Sequence, residues 1–143
     1  MDLWRVVLDT NVLVSALINS FGAPGRVLDL TLAGELQAFY DDRVLTEWRD
    51  VLRRERFGFA PTDVRALLEF FEHEGTKVRP PVLAVELPDS ADVPFLEVAT
   101  VAEAVLITGN LRHYPPEARC GVEVVDARTF LDQWATNLRE GSE

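Results

Sequence analysis

The run Trp4-Arg5-Val6-Val7-Leu8 is short, apolar and rich in valine, and it stops at three oxygen-bearing side chains, Asp9-Thr10-Asn11. Directly after it, Val12, Leu13, Ala16 and Leu17 recur at helical spacing. A strand that reads as a continuous apolar run is buried on both faces, which is the condition of a parallel strand covered by helices. The junction therefore predicts a strand from Trp4 to Leu8, ending at Asp9, and a helix from Asn11 to the break around Ser20 to Gly22. A chain that opens in this way is constrained towards an α/β architecture.

The alternation continues to the end. Pro24 suits the first turn of a second helix running to about Ala33, with Gly34 as its stop signal. Leu36 to Tyr40 predicts a second strand, and Asp41 or Asp42 caps a long helix to about Arg56 whose apolar face is Val44, Leu45, Trp48, Val51 and Leu52. A helix from Pro61 to about His73 presents Val64, Leu67, Leu68 and Phe71, and Lys77 to Leu87, broken by Pro80-Pro81, holds one short strand. Asp92 to Ala102 reads as a helix, Ala104 to Thr108 as a strand stopped by Gly109-Asn110, Gly121 to Val125 as the last strand, and Ala127 to about Asn137 as the last helix. No linker, repeat or low-complexity block divides the chain, so a single domain over residues 1–137 with a frayed tail at 138–143 is expected. The expected fold is a doubly wound, parallel sheet with helices on both faces, and its ligand site lies beyond the carboxyl ends of the strands.

Composition removes several classes of function. The single cysteine, Cys120, excludes a disulfide scaffold and a Cys-rich zinc site, and with no signal segment it suits a reducing, cytoplasmic setting. No apolar stretch at the start is long enough for a membrane span. Neither Gly-x-Gly-x-x-Gly, a P-loop nor Gly-x-Ser-x-Gly occurs, so dinucleotide, nucleoside triphosphate and serine-hydrolase sites have no sequence handle. The 14 basic and 24 acidic residues leave a net charge of -10, which argues against gripping nucleic acid through the overall field.

The informative residues are carboxylates at element ends. Asp9 follows the first strand and is joined by Thr10 and Asn11; the plainer role for Asp9 or Thr10 is an N-cap. Thr108-Gly109-Asn110 ends another strand in the same way, and could be no more than a turn. Glu47 falls at the edge of the apolar face of the long helix, near Val51, where it either leans towards a site or pairs with Arg43 one turn earlier. Asp92 opens the helix carrying Phe95 and Ala99, with Asp89 a nearby competitor, and capping again is the plainer role. If Asp9, Glu47 and Asp92 converge at one end of the sheet, their buried charges need a cation. Hard oxygen ligands favour Mg²⁺ or Mn²⁺ over zinc. Of the two histidines, His73 is read as a helix-end residue and His113 as a loop residue.

At these residues the chain resembles the PIN-domain ribonucleases, and more closely the VapC-like toxins of type II toxin-antitoxin pairs. The resemblance rests on Val6 to Leu17, on Leu45-Thr46-Glu47-Trp48-Arg49-Asp50-Val51-Leu52 with Arg56-Phe57, and on Asp89 and Asp92 ahead of Phe95-Leu96-Glu97-Val98-Ala99. It continues through Ile107-Thr108-Gly109-Asn110-Leu111-Arg112-His113-Tyr114-Pro115 and closes with Gly121 to Val125 before Phe130-Leu131, covering roughly residues 5 to 134 in the family's order and spacing. It implies a three-layer α/β/α domain with a central, mostly parallel sheet, whose acids bind Mg²⁺ or Mn²⁺ and hydrolyse RNA, leaving 5′-phosphate and 3′-hydroxyl ends. Asp9, Glu47 and Asp92 match the family's metal-binding acids, and Thr10, Asn11, Thr108 and Asp89 stand as supporting residues. A small antitoxin protein, an RNA substrate and a homodimer are the partners implied.

Asn110 departs from the pattern, standing where many members carry a fourth acid. An amide can offer its carbonyl oxygen or orient water but brings no charge. That departure and the net charge favour a second reading, a catalytically weak or inactive PIN-like module acting through a protein partner. A phosphatase or phospho-receiver domain also places Asp at strand ends but needs a lysine near them, and Lys77, the one lysine, is poorly placed. Arg49, Arg53, Arg54 and Arg56 form either a basic strip facing RNA phosphates or a solvated helix end.

Overall fold

The computed structural model describes residues 3–141. Strands β1 (Trp4–Leu8), β2 (Leu36–Tyr40), β3 (Thr76–Lys77), β4 (Val105–Ile107) and β5 (Val124–Val125) form one five-stranded sheet in the order β3-β2-β1-β4-β5. Every pairing is parallel, with Val6 opposite both Ala38 and Val105. Between the strands run α1 (Thr10–Ile18), α2 (Ala23–Leu32), α3 (Asp42–Leu52), α4 (Pro61–Glu74) and α5 (Val93–Ala102), and α6 (Ala127–Gly141) ends the chain. Helix α5 packs across β1, β2 and β4 and against α3, which also meets α4; α2 joins α1, α6 and β2. The result is the three-layer α/β/α arrangement with a parallel central sheet.

Burial follows the apolar runs. Val6, Val7 and Leu8 are fully buried, as are Leu106 and Ile107 of the neighbouring strand. Trp48 is also buried; its indole N–H donates to the Leu8 carbonyl at 3.1 Å and its ring lies 4.6 Å from that of Phe71. That single side chain ties α3 to the last residue of β1 and to α4, so the residue before it, Glu47, is held beside the end of the central strand.

Several boundaries differ from the sequence reading. Helix α1 starts at Thr10, with Asp9 as its cap. Helix α3 stops at Leu52, four residues before the expected Arg56, because its apolar face ends there and Arg53 to Arg56 are all exposed. The chain then forms a 3-10 turn, Glu55–Phe57, closed by Gly58 at φ 64. Asp92 belongs to a 3-10 turn, Ser90–Asp92, and α5 begins one residue later, where Pro94 fits the first helical turn. The short strand expected within 77–87 is Thr76–Lys77; beyond it Leu83, Val85 and Leu87 turn alternately inward without a ladder. Helix α6 runs to Gly141 where fraying after Asn137 was expected, since Leu138-Arg139-Glu140 are good helix formers and no breaker precedes Gly141. Residues 142–143 of that tail lie outside the described residues.

Candidate active site

The strand order reverses at β1: β2 and β3 lie on one side of it, β4 and β5 on the other. The crevice between the carboxyl ends of β1 and β4 is thus the switch point at which open α/β sheets bind ligands. Asp9 follows β1 and Thr108 follows β4 at this place, and the Asp9 amide donates to the Ile107 carbonyl at 2.9 Å, joining the two ends.

Asp9 is buried and heavily bonded. Its Oδ1 accepts from the Thr10 amide at 2.8 Å. Its Oδ2 accepts from the Thr108 hydroxyl at 2.8 Å, from the Tyr114 hydroxyl at 3.0 Å and, at 3.4 Å, from the Asn11 amide group. Burial raises the Asp9 pKa and the nearby charge of Glu47 adds to the rise, while the Thr108, Tyr114 and Thr10 hydrogen bonds oppose it. Tyr114 is itself pushed up, by burial and then by the Asp9 and Asp92 charges, so it stays protonated and able to donate. Asn11 completes the brace: its Oδ1 accepts from the Gly109 amide at 2.6 Å. A Cβ on Gly109 would sit 3.0 Å from that oxygen, so glycine keeps this approach open.

Glu47 comes from α3 and accepts from the Thr10 hydroxyl at 2.5 Å. It is not spent on Arg43, whose guanidinium contacts Asp41 and Glu97, each at 2.7 Å. Asp92 precedes α5 without capping it. Only 9% of the residue is exposed, and its Oδ2 has no hydrogen-bond partner although His113 Nδ1 lies 2.8 Å away, close but without hydrogen-bond alignment. Burial first, then the charge of Asp9, lifts the Asp92 pKa from 3.8 to about 6, with His113 opposing. Asp89 is exposed, and its Oδ1 accepts from the Ala91 amide at 3.0 Å.

Asp9, Glu47, Asp92 and Asp89, with Thr10 and Asn11, share the wall of one open cleft of about 580 Å³. Asn110 is not in that wall; its backbone N–H donates to the Thr108 hydroxyl at 3.0 Å, and Thr108, fully buried, serves the cleft through Asp9. Arg54, Arg56 and Phe57 do line it, on the turn after α3. Arg49 instead faces Glu72 of α4 at 3.8 Å, so the four arginines make no continuous strip. Sequence reasoning assigns His113 no more than a loop position and Tyr114 no site role, since they lie on and just after a 3-10 turn, Leu111–His113, too short for any periodic signal. A buried carboxylate oxygen with one imidazole nitrogen beside it and no aligned hydrogen bond, among three further acids, is a charge imbalance that a divalent cation fits.

Among the described residues no helix is long and apolar enough to cross a membrane. A family model described as PIN domain matches residues 5–112. The chain is 30% identical over 115 residues to the uncharacterized protein MJ1680 of Methanocaldococcus jannaschii, a match spanning 74% of this chain and 70% of that protein. In fold it is similar to VapBC2 of Rickettsia felis, solved bound to a DNA fragment from the promoter, with a TM-score of 0.53 at 16% identity over 85% of this chain and 97% of that one. It is equally similar to FitAcB of Neisseria gonorrhoeae, with a TM-score of 0.53 at 17% identity over 86% and 98% of the two chains. With most of its sequence matched by that family model and its strands ordered around the Asp9 crevice, the chain belongs to the PIN domain family.

Proposed function

We propose that this chain is a ribonuclease that uses Mg²⁺ or Mn²⁺ to hydrolyse RNA phosphodiesters, and that it is the toxin of a toxin-antitoxin pair. The observation that carries the reading is the buried Asp92 Oδ2, which has no aligned hydrogen bond and only His113 Nδ1 beside it, in a cleft shared with Asp9 and Glu47. Asp9, Asp92 and Glu47 would hold the ion, which would offset charge on the phosphate and acidify the attacking water, leaving 5′-phosphate and 3′-hydroxyl ends.

The chain's own residues set the geometry. Thr10, Thr108 and Tyr114 fix the Asp9 carboxylate through both oxygens, so it meets its ligand without reorganising. Glu47, anchored by the Thr10 hydroxyl, binds or orients the water. Arg54 and Arg56 at the cleft rim contact RNA phosphates by charge-assisted hydrogen bonds, a local basic field within a chain of net charge -10. Asn110 supports the site through Thr108.

The test is cleavage of single-stranded or transfer RNA that requires Mg²⁺ or Mn²⁺ and disappears in Asp9→Ala. Cleavage that persists in that variant, after contaminating nuclease is excluded, overturns the reading. The antitoxin, a small protein, and a homodimer are part of the proposal; the fold shared with VapBC2 and FitAcB supports it, and co-purification with the product of a neighbouring reading frame tests it. Asn110 in place of an acid favours the second reading, a binding module with little catalysis. A failure to bind Mn²⁺ at millimolar concentration would select that reading.

A further inference from the structure

The tightest group of ligand atoms in the described chain is not the one the sequence points to. Asp89, Asp92 and His113 each offer an atom within 4.8 Å of the other two. They come from two turns that meet in the cleft wall, Ser90–Asp92 with its cap Asp89, and Leu111–His113. We propose that Asp89, Asp92 and His113 form a mixed nitrogen and oxygen site for a first-row transition ion, taking Mn²⁺ in preference to Mg²⁺, with His113 Nδ1 as the nitrogen donor.

Three observations support the assignment. Asp92 Oδ2 is buried, its one polar neighbour is His113 Nδ1, and the two atoms meet without hydrogen-bond alignment, as two ligands turned to a common ion would. His113 Nδ1 stands 2.8 Å from that oxygen, close to the roughly 3 Å that separates adjacent ligand atoms around an octahedral ion with bonds of about 2.1 Å. Asp89 Oδ1 is held by the Ala91 amide at 3.0 Å, which sets the side chain and leaves the second oxygen for an ion. Two carboxylates balance the charge of a divalent cation.

The donor set decides the selectivity. An all-oxygen site suits Mg²⁺, which sheds water reluctantly and gains little from nitrogen. An imidazole in the set raises the affinity for first-row transition ions over Mg²⁺. The site shares Asp92 with the proposed ribonuclease centre and rests on that reading only there; it requires no RNA.

The experiment uses the full chain, titrated with Mn²⁺ and with Mg²⁺ by calorimetry, together with pulsed electron paramagnetic resonance of the Mn²⁺ complex. The wild-type spectrum is expected to show nitrogen coupled to the manganese. In His113→Gln the coupling disappears and Mn²⁺ affinity falls about tenfold or more, while Mg²⁺ affinity changes less. Asp89→Asn is expected to weaken Mn²⁺ while keeping the nitrogen signal. Bound Mn²⁺ without nitrogen coupling in the wild type, no Mn²⁺ binding at all, or a His113→Gln protein with unchanged Mn²⁺ affinity would each overturn the inference. Absent coupling alongside Mg²⁺-dependent cleavage sinks this site and leaves the ribonuclease standing. Coupling without cleavage does the reverse.

Discussion

The Tyr114 hydroxyl donates to Oδ2 of Asp9 across 3.0 Å, joining residues 105 apart in the chain, and both are buried. The bond couples the turn after β4 to the end of β1, so the carboxylate at the centre of the cleft is steered by the same segment that carries His113.

Removing that donor should be costly. Tyr114→Phe keeps the ring and deletes one of the hydrogen bonds that steady a buried carboxylate. Bonds to charged groups contribute about 1.5–3 kcal/mol, and a loss of stability of that order is expected from the urea midpoint. A variant as stable as the wild type would show that Thr108 and Thr10 hold Asp9 unaided.

The arginines can be separated by what they face. Arg54 and Arg56 line the acidic cleft, while Arg49 is turned to Glu72. In single strands each phosphate contact contributes roughly 0.7 to the slope of log affinity against log salt. Arg54→Ala with Arg56→Ala should therefore flatten the slope for RNA binding by about 1.4, and Arg49→Ala should leave it unchanged. An identical slope in all three proteins would remove the arginines from the RNA path.

Much of this arrangement was legible because it is written in periodic segments. Val6 to Leu8 and Leu106-Ile107 could only be buried strands, and Asp9 and Thr108 had to emerge at their carboxyl ends. Glu47 was placed by the apolar face of α3, and Trp48 beside it explains why that placement is rigid. His113 and Tyr114 were not legible, because a three-residue turn has no period and its contacts reach back to Asp92 and Asp9. Glu97 was hidden for another reason. A charged residue within an apolar helix reads as a surface position, and its partner Arg43 is 54 residues away.

Glu97 gives the next prediction. It is 2% exposed, and its carboxylate accepts from the Leu83 amide at 2.6 Å and from Arg43 at 2.7 Å. That amide bond pins residues 78–88, which lack ladder partners beyond Val78 and lead directly into Asp89 and Asp92. Arg43 is half-exposed and keeps its Asp41 contact when Glu97 is removed, so the damage should be local. Glu97→Ala is expected to speed hydrogen exchange and proteolysis across 78–88 more than in the sheet. Unchanged exchange in that segment would refute the pinning role.

The last prediction concerns acid. Asp92 has a pKa of about 6 in the folded chain against an ordinary 3.8, because burial and the Asp9 charge disfavour its ionised form. Between those values the folded state holds a proton that the unfolded chain has released, so stability falls as pH rises through this window. Metal-free protein should then be less stable at pH 7.5 than this group alone would allow at pH 4.5. Asp92→Asn removes the buried charge; it should be more stable than the wild type at pH 7.5 in chelator, and its stability should change less between pH 4 and 6. Asp9, also raised by burial, keeps part of the slope in both proteins, and Asp126, lowered by the Thr129 amide, opposes it equally in both. The difference between the two proteins therefore reports Asp92 together with its electrostatic coupling to Asp9. Because an ion and a proton compete for the same carboxylate, Mn²⁺ should restore wild-type stability at pH 7.5 and bind progressively more weakly below pH 6. Urea denaturation at both pH values, with and without Mn²⁺, measures all of this, and a variant no more stable than the wild type at pH 7.5 would overturn the account of Asp92 as a buried charge waiting for a cation.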